Sequence, residues 1–224
     1  MVMPFMKIDK YARKLGGQYT VRSIYFDTPE LACYLEKIAG VKRRNKVRLR
    51  GYNGGSPQDK VFFEIKKKID EPLFKNRVSM TYEEAQKLLR GESVEDIISA
   101  ENARRFLYHI YARRMQPVVT VIYEREPLQA LLIDQDNDLR ITFDKNLRAV
   151  PNPSLDELFE ESLARPVTDS HFIMEVKFNR YLPTWVKSVV ASFGLKKGPA
   201  SKYAMSIEAC GLGRVRPYRS SLIK

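Results

Sequence analysis

The most informative residues of the chain are charged side chains placed two apart within short apolar segments. Arg48 and Arg50 lie in KVRLR, and Glu64, Lys66 and Lys68 follow in FFEIKKK. In a β-strand, residues two apart project from the same face of the sheet. Guanidinium forks and ammonium groups gathered on one face are suited to phosphate oxygens. This spacing therefore predicts a surface that binds a multiply charged anion.

The same spacing recurs in three further segments. Its members, read in chain order, are Lys75 and Arg77, Tyr123 and Arg125, and Glu175 and Lys177. For any one segment, a charged strand face turned to solvent is the usual explanation. Because five segments repeat the pattern with cations in excess, we interpret them as one enclosed surface. Buried charges need an ionic partner, since unpaired burial is costly, and a linear phosphate chain would provide it.

Composition narrows the class of protein. With 224 residues, 44% hydrophobic and 29% charged, the chain is typical of one large soluble domain. Its 39 Lys and Arg against 27 Asp and Glu give a net charge of +12, which favours anionic partners. The sequence has no apolar run of the roughly 18 residues that a membrane span requires, and we expect no secretory signal, since residues 1–14 contain no apolar core segment and no small-residue cleavage site. Since Cys33 and Cys210 make no disulfide framework, we expect free thiols and a cytoplasmic protein.

Hydrophobic periodicity and turn residues predict an alternation of strands and helices. The predicted strands are 20–26, 46–52, 60–69, 73–80, 117–125, 128–134, 139–145, 171–178 and 201–209. The predicted helices are 29–39, 81–91, 100–114, 154–160 and 182–195, and Thr81 and Glu84 form a capping box. We predict an α+β fold: an antiparallel β-barrel tunnel of about eight strands with helices packed outside. The interior of such a barrel accommodates side chains or one slim ligand.

Three glutamates on these segments are candidate ligands of a divalent cation, Mn²⁺ or Mg²⁺. They are Glu175, Glu64 and Glu208. Such cations prefer carboxylate oxygens and also bridge to phosphates. For each glutamate, an ion pair with a neighbouring lysine is the alternative. Glu175 is the favoured ligand, because its apolar neighbours Met174 and Val176 indicate a deeply placed strand.

Seven strings of the sequence, in this order, resemble the VTC domains of the triphosphate tunnel metalloenzyme superfamily. They are RSIYFDTPELACYLEK (22–37), KVRLRGY (46–52), FFEIKKK (62–68), VIYERE (121–126), LRITFDKNLR (139–148), IMEVKFNRYLPTWV (173–186) and SKYAMSIE (201–208). The resemblance implies a tunnel-shaped barrel whose basic interior holds a tri- or polyphosphate chain and a divalent metal on a glutamate. In the best-understood members, the domain transfers the terminal phosphate of a nucleoside triphosphate onto a growing polyphosphate chain. Relatives hydrolyse triphosphates or cyclise ATP.

Each matching residue acquires an implied role from this resemblance. Arg48 and Arg50 would contact the substrate phosphates, Glu175 would hold the metal, and Ser201 with Lys202 would be a phosphate-binding pair on the last strand. The candidate catalytic residues are Arg48, Arg50, Lys66, Arg125 and Arg140. The candidate substrate ligands are Lys68, Lys75, Arg77, Tyr123, Lys177, Ser201 and Lys202.

Two features depart from the family pattern. The family usually begins with a charged strand and a helix before the segment that matches MKIDKYA, and this chain starts within that helix. We therefore expect residues 1–209 to form a single tunnel domain that lacks its first strand, followed by a basic tail at 210–224. Pro199 also stands two residues before Ser201, where polymerising relatives tend to have lysine.

The sequence leaves several alternatives open. The same fold could bind polyphosphate as a non-catalytic regulatory module, or could act as a triphosphatase. A third alternative is RNA binding through a basic helical face, although a solvated helix face explains that pattern more simply. The residues of this helical face are Arg104, Arg105, Arg113 and Arg114. The oligomeric state is not indicated.

Overall fold

The computed structural model describes residues 2–68, 73–92, 100–131 and 137–213, and of residues 68, 73–75 and 100–102 it describes the backbone only. Most of the predicted basic tail lies outside the described residues. Within them the chain forms an α+β structure around one large antiparallel sheet. The α+β class predicted from the sequence is confirmed.

Nine strands make up the sheet within the described residues. They are β1 (Met6–Ile8), β2 (Tyr19–Asp27), β3 (Arg44–Tyr52), β4 (Lys60–Lys68), β5 (Leu73–Thr81), β6 (Gln116–Ala130), β7 (Arg140–Pro151), β8 (Arg165–Pro166) and β9 (Ile173–Lys177). The strand order is β5-β4-β3-β2-β6-β7-β8, with β1 paired to β6 and β9 paired to β7. The short strand β1 pairs with the C-terminal end of β6, and β9 pairs with the N-terminal end of β7.

The two faces of the sheet carry different kinds of side chain. In the registers of β2 to β5, Tyr25 lies opposite Arg48, Arg48 opposite Glu64, and Glu64 opposite Arg77. These residues project from one side, here called the charged face, and the intervening residues project from the other, the back face. The back face is buried and apolar in this region: it carries Ile24, Val47, Leu49, Phe63, Ile65 and Val78.

Helices cover both faces. They are α1 (Lys10–Arg13), α2 (Ala32–Ile38), α3 (Tyr82–Leu89), α4 (Ala100–Ala112), α5 (Thr184–Ser192) and α6 (Lys202–Ala209). On the back face, Phe106 of α4 stacks on Phe63, with 4.0 Å between ring centroids. On the charged face, Tyr203 of α6 stacks on Tyr25, with 4.9 Å between centroids. Among the described residues, no helix has the length and apolar character needed to cross a membrane.

The predicted start of α3 is confirmed. The hydroxyl of Thr81 accepts a hydrogen bond from the Glu84 backbone N–H at 3.2 Å, and the Glu84 carboxylate accepts one from the Thr81 N–H at 2.7 Å. This reciprocal pair is the capping box that the sequence indicated.

The prediction of a last strand at 201–209 is wrong, because these residues form α6. Ser201 caps the helix through its side chain. Tyr203, Ala204 and Ile207 are buried together against β2 and β6, at the spacing of one helical face. Tyr203, Met205 and Ile207 also alternate, so the same segment fits a strand pattern until its packing partners are known.

Other boundaries also differ from the predictions. Residues 6–8 form β1, for which the sequence predicted no element. The two strands predicted at 117–125 and 128–134 are one strand, β6, which ends at Ala130, and residues 132–134 lie outside the described residues. The helix predicted at 154–160 is a single 3₁₀ turn at Leu155–Glu157. In the described part of the chain no pairing joins β5 to β8 or β9, so the sheet is open and the predicted closed barrel is not confirmed.

Candidate anion-binding site

The centre of the charged face is a cluster of arginines around one buried carboxylate. Glu64 is 1% exposed, Arg48 7% and Arg50 8%. The Arg48 Nε donates to Glu64 Oε2 at 2.6 Å, and Arg77 Nε lies 3.3 Å from Glu64 Oε1. Arg50 Nη1 is farther away, 3.9 Å from Glu64 Oε2. Three guanidinium groups thus share one carboxylate, so the buried surroundings of Glu64 carry an excess of positive charge.

Strand β2 holds the arginines in position. Arg48 Nη1 donates to the Tyr25 hydroxyl at 2.9 Å, and Arg50 Nε donates to Ser23 Oγ at 3.0 Å. Burial alone would raise the pKa of Tyr25, but Arg48, Arg50 and Lys46 lower it to about 7. This lowered pKa of a buried phenol indicates a strongly positive local potential.

Two lysines continue the charged face toward the other end of β3. Lys46 and Lys66 are directly opposite each other in the β3–β4 register, and Lys75 is opposite Lys66. Burial and then the charge of Arg48 lower the pKa of Lys66 to about 8. Burial also lowers the pKa of Lys46, whose Nζ donates to Ser201 Oγ at 3.2 Å. An anion in this region would relieve the repulsion that disfavours the charged ammonium groups.

A second group of charges lies on β6, β7 and β9. Arg125 makes a bidentate pair with Asp144, at 2.7 Å for Nε–Oδ1 and 2.8 Å for Nη2–Oδ2. Lys202, the first residue of α6, places its Nζ 2.6 Å from Asp144 Oδ2. Burial would raise the pKa of Asp144, but Arg125 and Lys202 lower it on balance. The second group is therefore ionised and firmly oriented.

Beside this pair is a cavity of about 140 Å³. Among the side chains that line it are Tyr19, Arg125, Arg140, Thr142, Glu175 and Lys177. Lys177 Nζ lies 3.3 Å from Glu175 Oε1, and Arg125 Nη2 lies 3.8 Å from Glu175 Oε2. Four of the predicted site residues therefore surround one small cavity, although their roles there stay predictions.

Tyr123 connects the two groups. Arg125 Cζ lies 5.2 Å and Lys202 Nζ 5.0 Å from the centroid of its buried ring. Burial would lower the pKa of Arg50, but Tyr123, and after it Glu64, raise it on balance. Because Tyr123 interacts with cations of both groups, they belong to one continuous surface.

The three candidate metal ligands differ in their surroundings. Among the described residues, no three His, Cys, Asp or Glu side chains come together as a metal site. Glu64 is enclosed by arginines, and Glu208 lies near the C-terminal end of α6, where it accepts a hydrogen bond from the Tyr34 hydroxyl at 3.4 Å. The arginines around Glu64 do not suit a cation there.

Glu175 fits a divalent cation better. Its side chain is half-exposed on the cavity, and although burial raises its pKa, Lys177, Lys202 and Arg125 lower it on balance. Thr142 lies opposite Glu175 in the β7–β9 register, and within the described residues its buried Oγ1 has no hydrogen-bond partner. Mg²⁺ commonly takes one or two carboxylates and completes its shell with water and phosphate oxygens.

Several residues of the site were missed from the sequence. Lys46 continues the alternation of Arg48 and Arg50, so the same spacing argument could have found it. Asp144 has no such signal, because its partners Arg125 and Lys202 lie on other elements. The side chains of Lys68 and Lys75, both predicted as substrate ligands, lie outside the described residues.

The fold and the site together define a domain with many Arg and Lys side chains on one face of an antiparallel sheet. Some of these side chains pair with buried carboxylates, and the others leave an excess of positive charge. The chain belongs to the VTC domain family, whose model matches residues 1–210. The resemblance inferred from the sequence is confirmed. The chain is also similar to the vacuolar transporter chaperone complex subunit 4 of Schizosaccharomyces pombe, at 26% identity over 255 residues. That alignment covers 96% of this chain and 34% of the relative, so the chain spans about a third of the length of this curated relative.

Proposed function

We propose that this chain binds polyphosphate or a nucleoside triphosphate on its charged face and, with a divalent metal, transfers the terminal phosphate to a polyphosphate chain. Membership of the VTC domain family supports the substrate class. The observation that carries the proposal is the excess of cations around Glu64. The cationic side chains of this region are Lys46, Arg48, Arg50, Lys66 and Arg77. A phosphate chain would supply the missing negative charge.

The reaction needs no nucleophile from the protein. A terminal oxygen of the polyphosphate chain attacks the γ-phosphorus, and the bond from that phosphorus to the oxygen bridging to the β-phosphate breaks. The chain becomes one phosphate longer and a nucleoside diphosphate leaves. Buried guanidinium groups such as Arg48 and Arg50 would position the phosphates and stabilise charge on their oxygens in the transition state.

Glu175 would hold the metal, with Thr142 beside it. A bound Mn²⁺ or Mg²⁺ would neutralise charge on the phosphate oxygens. We also propose that the charged face becomes the inner wall of a closed tunnel. Closure would require a bridge between the edge strands β5 and β8, and no such pairing lies within the described residues.

Activity of two variants tests the proposal. With Mn²⁺ or Mg²⁺, the purified chain should consume ATP and lengthen polyphosphate on a gel. Arg50→Ala and Glu175→Ala should each remove this activity, and Arg104→Ala, on the exposed side of α4, should leave it unchanged. Matching circular dichroism spectra would show that the variants fold.

Three results would lead to a different conclusion. ATP turnover that survives both Arg50→Ala and Glu175→Ala would overturn the proposal. Tight binding of phosphate chains without turnover would identify a non-catalytic binding module. RNA affinity that persists in Arg48→Ala and Arg50→Ala, but falls when the basic face of α4 is neutralised, would identify an RNA-binding protein.

A further inference from the structure

Four aromatic rings form a cluster at one end of the charged face: Tyr11, Tyr19, Tyr52 and Phe62. The ring centroids are 5.1 Å apart for Tyr11 and Tyr19, and 5.7 Å apart both for Tyr19 and Tyr52 and for Tyr52 and Phe62. Each of these pairs is edge-to-face, the geometry that aromatic side chains prefer. The contacts fix the rings relative to one another.

This aromatic cluster touches the predicted phosphate ligands on both sides. Tyr19 is the cross-strand neighbour of Arg125 and lines the same cavity. On the other side, Arg77 Cζ lies 3.6 Å from the centroid of the Phe62 ring, and Arg77 Nη2 donates to the Tyr52 hydroxyl at 3.4 Å. The rings are therefore continuous with the site.

The cluster is not closed off as a core would be. Tyr11, on the short helix α1, is 50% exposed, and the other three rings are partly exposed. At the opposite end of the charged face lie Lys46 and Lys66. The two ends of the charged face therefore differ: one end carries aromatic rings and the other carries ammonium groups.

We propose that the aromatic cluster is a nucleobase site: the base of a nucleoside triphosphate stacks on Tyr11 while its phosphates lie along the charged face. This inference rests on the proposed function and specifies the end of the charged face at which the base of the nucleotide binds. Stacking on a tyrosine ring tolerates any base, because every base has a π-face. The site would therefore favour a nucleotide over a bare phosphate chain without selecting strongly among bases.

Affinities for ATP and for inorganic tripolyphosphate, measured by calorimetry in one buffer without metal, test this inference. Tyr11→Ala should weaken ATP binding about tenfold and leave tripolyphosphate binding unchanged. Tyr11→Phe keeps the ring and should keep the ATP affinity. Tyr108→Ala is the matched control, since Tyr108 is 69% exposed on α4 and lies away from the cluster.

The two ligands separate this inference from the proposed function. If Tyr11→Ala leaves the ATP affinity unchanged, or weakens both ligands equally, the nucleobase site is wrong even though phosphate binding stands. If the unaltered chain binds neither ligand, the proposed function fails first and the nucleobase site with it. Loss of ATP affinity alone, restored in Tyr11→Phe, would support the site.

Discussion

Replacing Glu64 by glutamine should destabilise the protein and at the same time strengthen its binding of polyphosphate. Glu64 is almost completely buried, and its carboxylate pairs with Arg48 and Arg77 and lies near Arg50. Glutamine preserves the shape but removes the only charge it carries. The buried guanidinium groups then lose their counter-charge, which typically costs about 3 kcal/mol.

The size of the effect can be expressed as a melting temperature. For a domain of this length, each kcal/mol corresponds to roughly 2–4 °C, so Glu64→Gln should melt about 6–12 °C lower. Tripolyphosphate at 100 times its Kd should stabilise the unaltered protein by about 2.7 kcal/mol. It should stabilise the variant by more at the same concentration, because a repelling charge is gone and binding is about tenfold tighter.

Thermal melting with and without tripolyphosphate measures both effects. Glu161→Gln is the control, since Glu161 also pairs with two arginines, Arg22 and Arg148, but is more exposed and lies on the back face. Glu161→Gln should lower the free energy of unfolding by about 1 kcal/mol or less, and tripolyphosphate should stabilise this variant as much as the unaltered protein. A Glu64→Gln protein that melts like the unaltered protein, or that responds less to tripolyphosphate, would refute this account. If Mn²⁺ raises the melting temperature of the unaltered protein but not that of Glu64→Gln, Glu64 would instead be a metal ligand.

Two further predictions concern pH and folding. Because the pKa of Lys66 is lowered to about 8, its positive charge is present below that pH and lost above it, and Tyr25, with a pKa of about 7, gains a negative charge at the lower end of the same range; tripolyphosphate affinity measured by calorimetry should therefore fall between pH 7 and pH 9, with Lys66 responsible for the upper part of the fall. Lys66→Arg keeps the charge and should flatten this dependence; an equally steep fall in the variant would contradict the assignment to Lys66. Thr81→Ala removes the capping box of α3 and should cost about 1 kcal/mol in urea unfolding, while Thr81→Ser should cost less. Equal losses in the two variants would show that the cap hydroxyl is not the cause.

Much of the charged face could be predicted from local sequence. Arg48 and Arg50 share one side of β3, and Glu64 and Lys66 share one side of β4, because the period of a strand is two. The order of the seven matching sequence strings likewise allowed the VTC domain family to be identified from the sequence. The helix α6 could not be predicted in the same way, since its large apolar residues Tyr203, Met205 and Ile207 alternate as in a strand, although the residues that the fold buries lie at helical spacing.

The sequence by itself determined which side chains share a face, because alternation along a strand is a local property of the backbone. Only the tertiary structure decided which of those charges are neutralised. Glu64 is surrounded by arginines through the registers of three strands, and Asp144 meets Arg125 and Lys202 through a neighbouring strand and the packing of α6. An ion pair requires its charged atoms to lie within about 4 Å of each other, so these pairs follow from register and helix packing that bring together residues far apart in the chain.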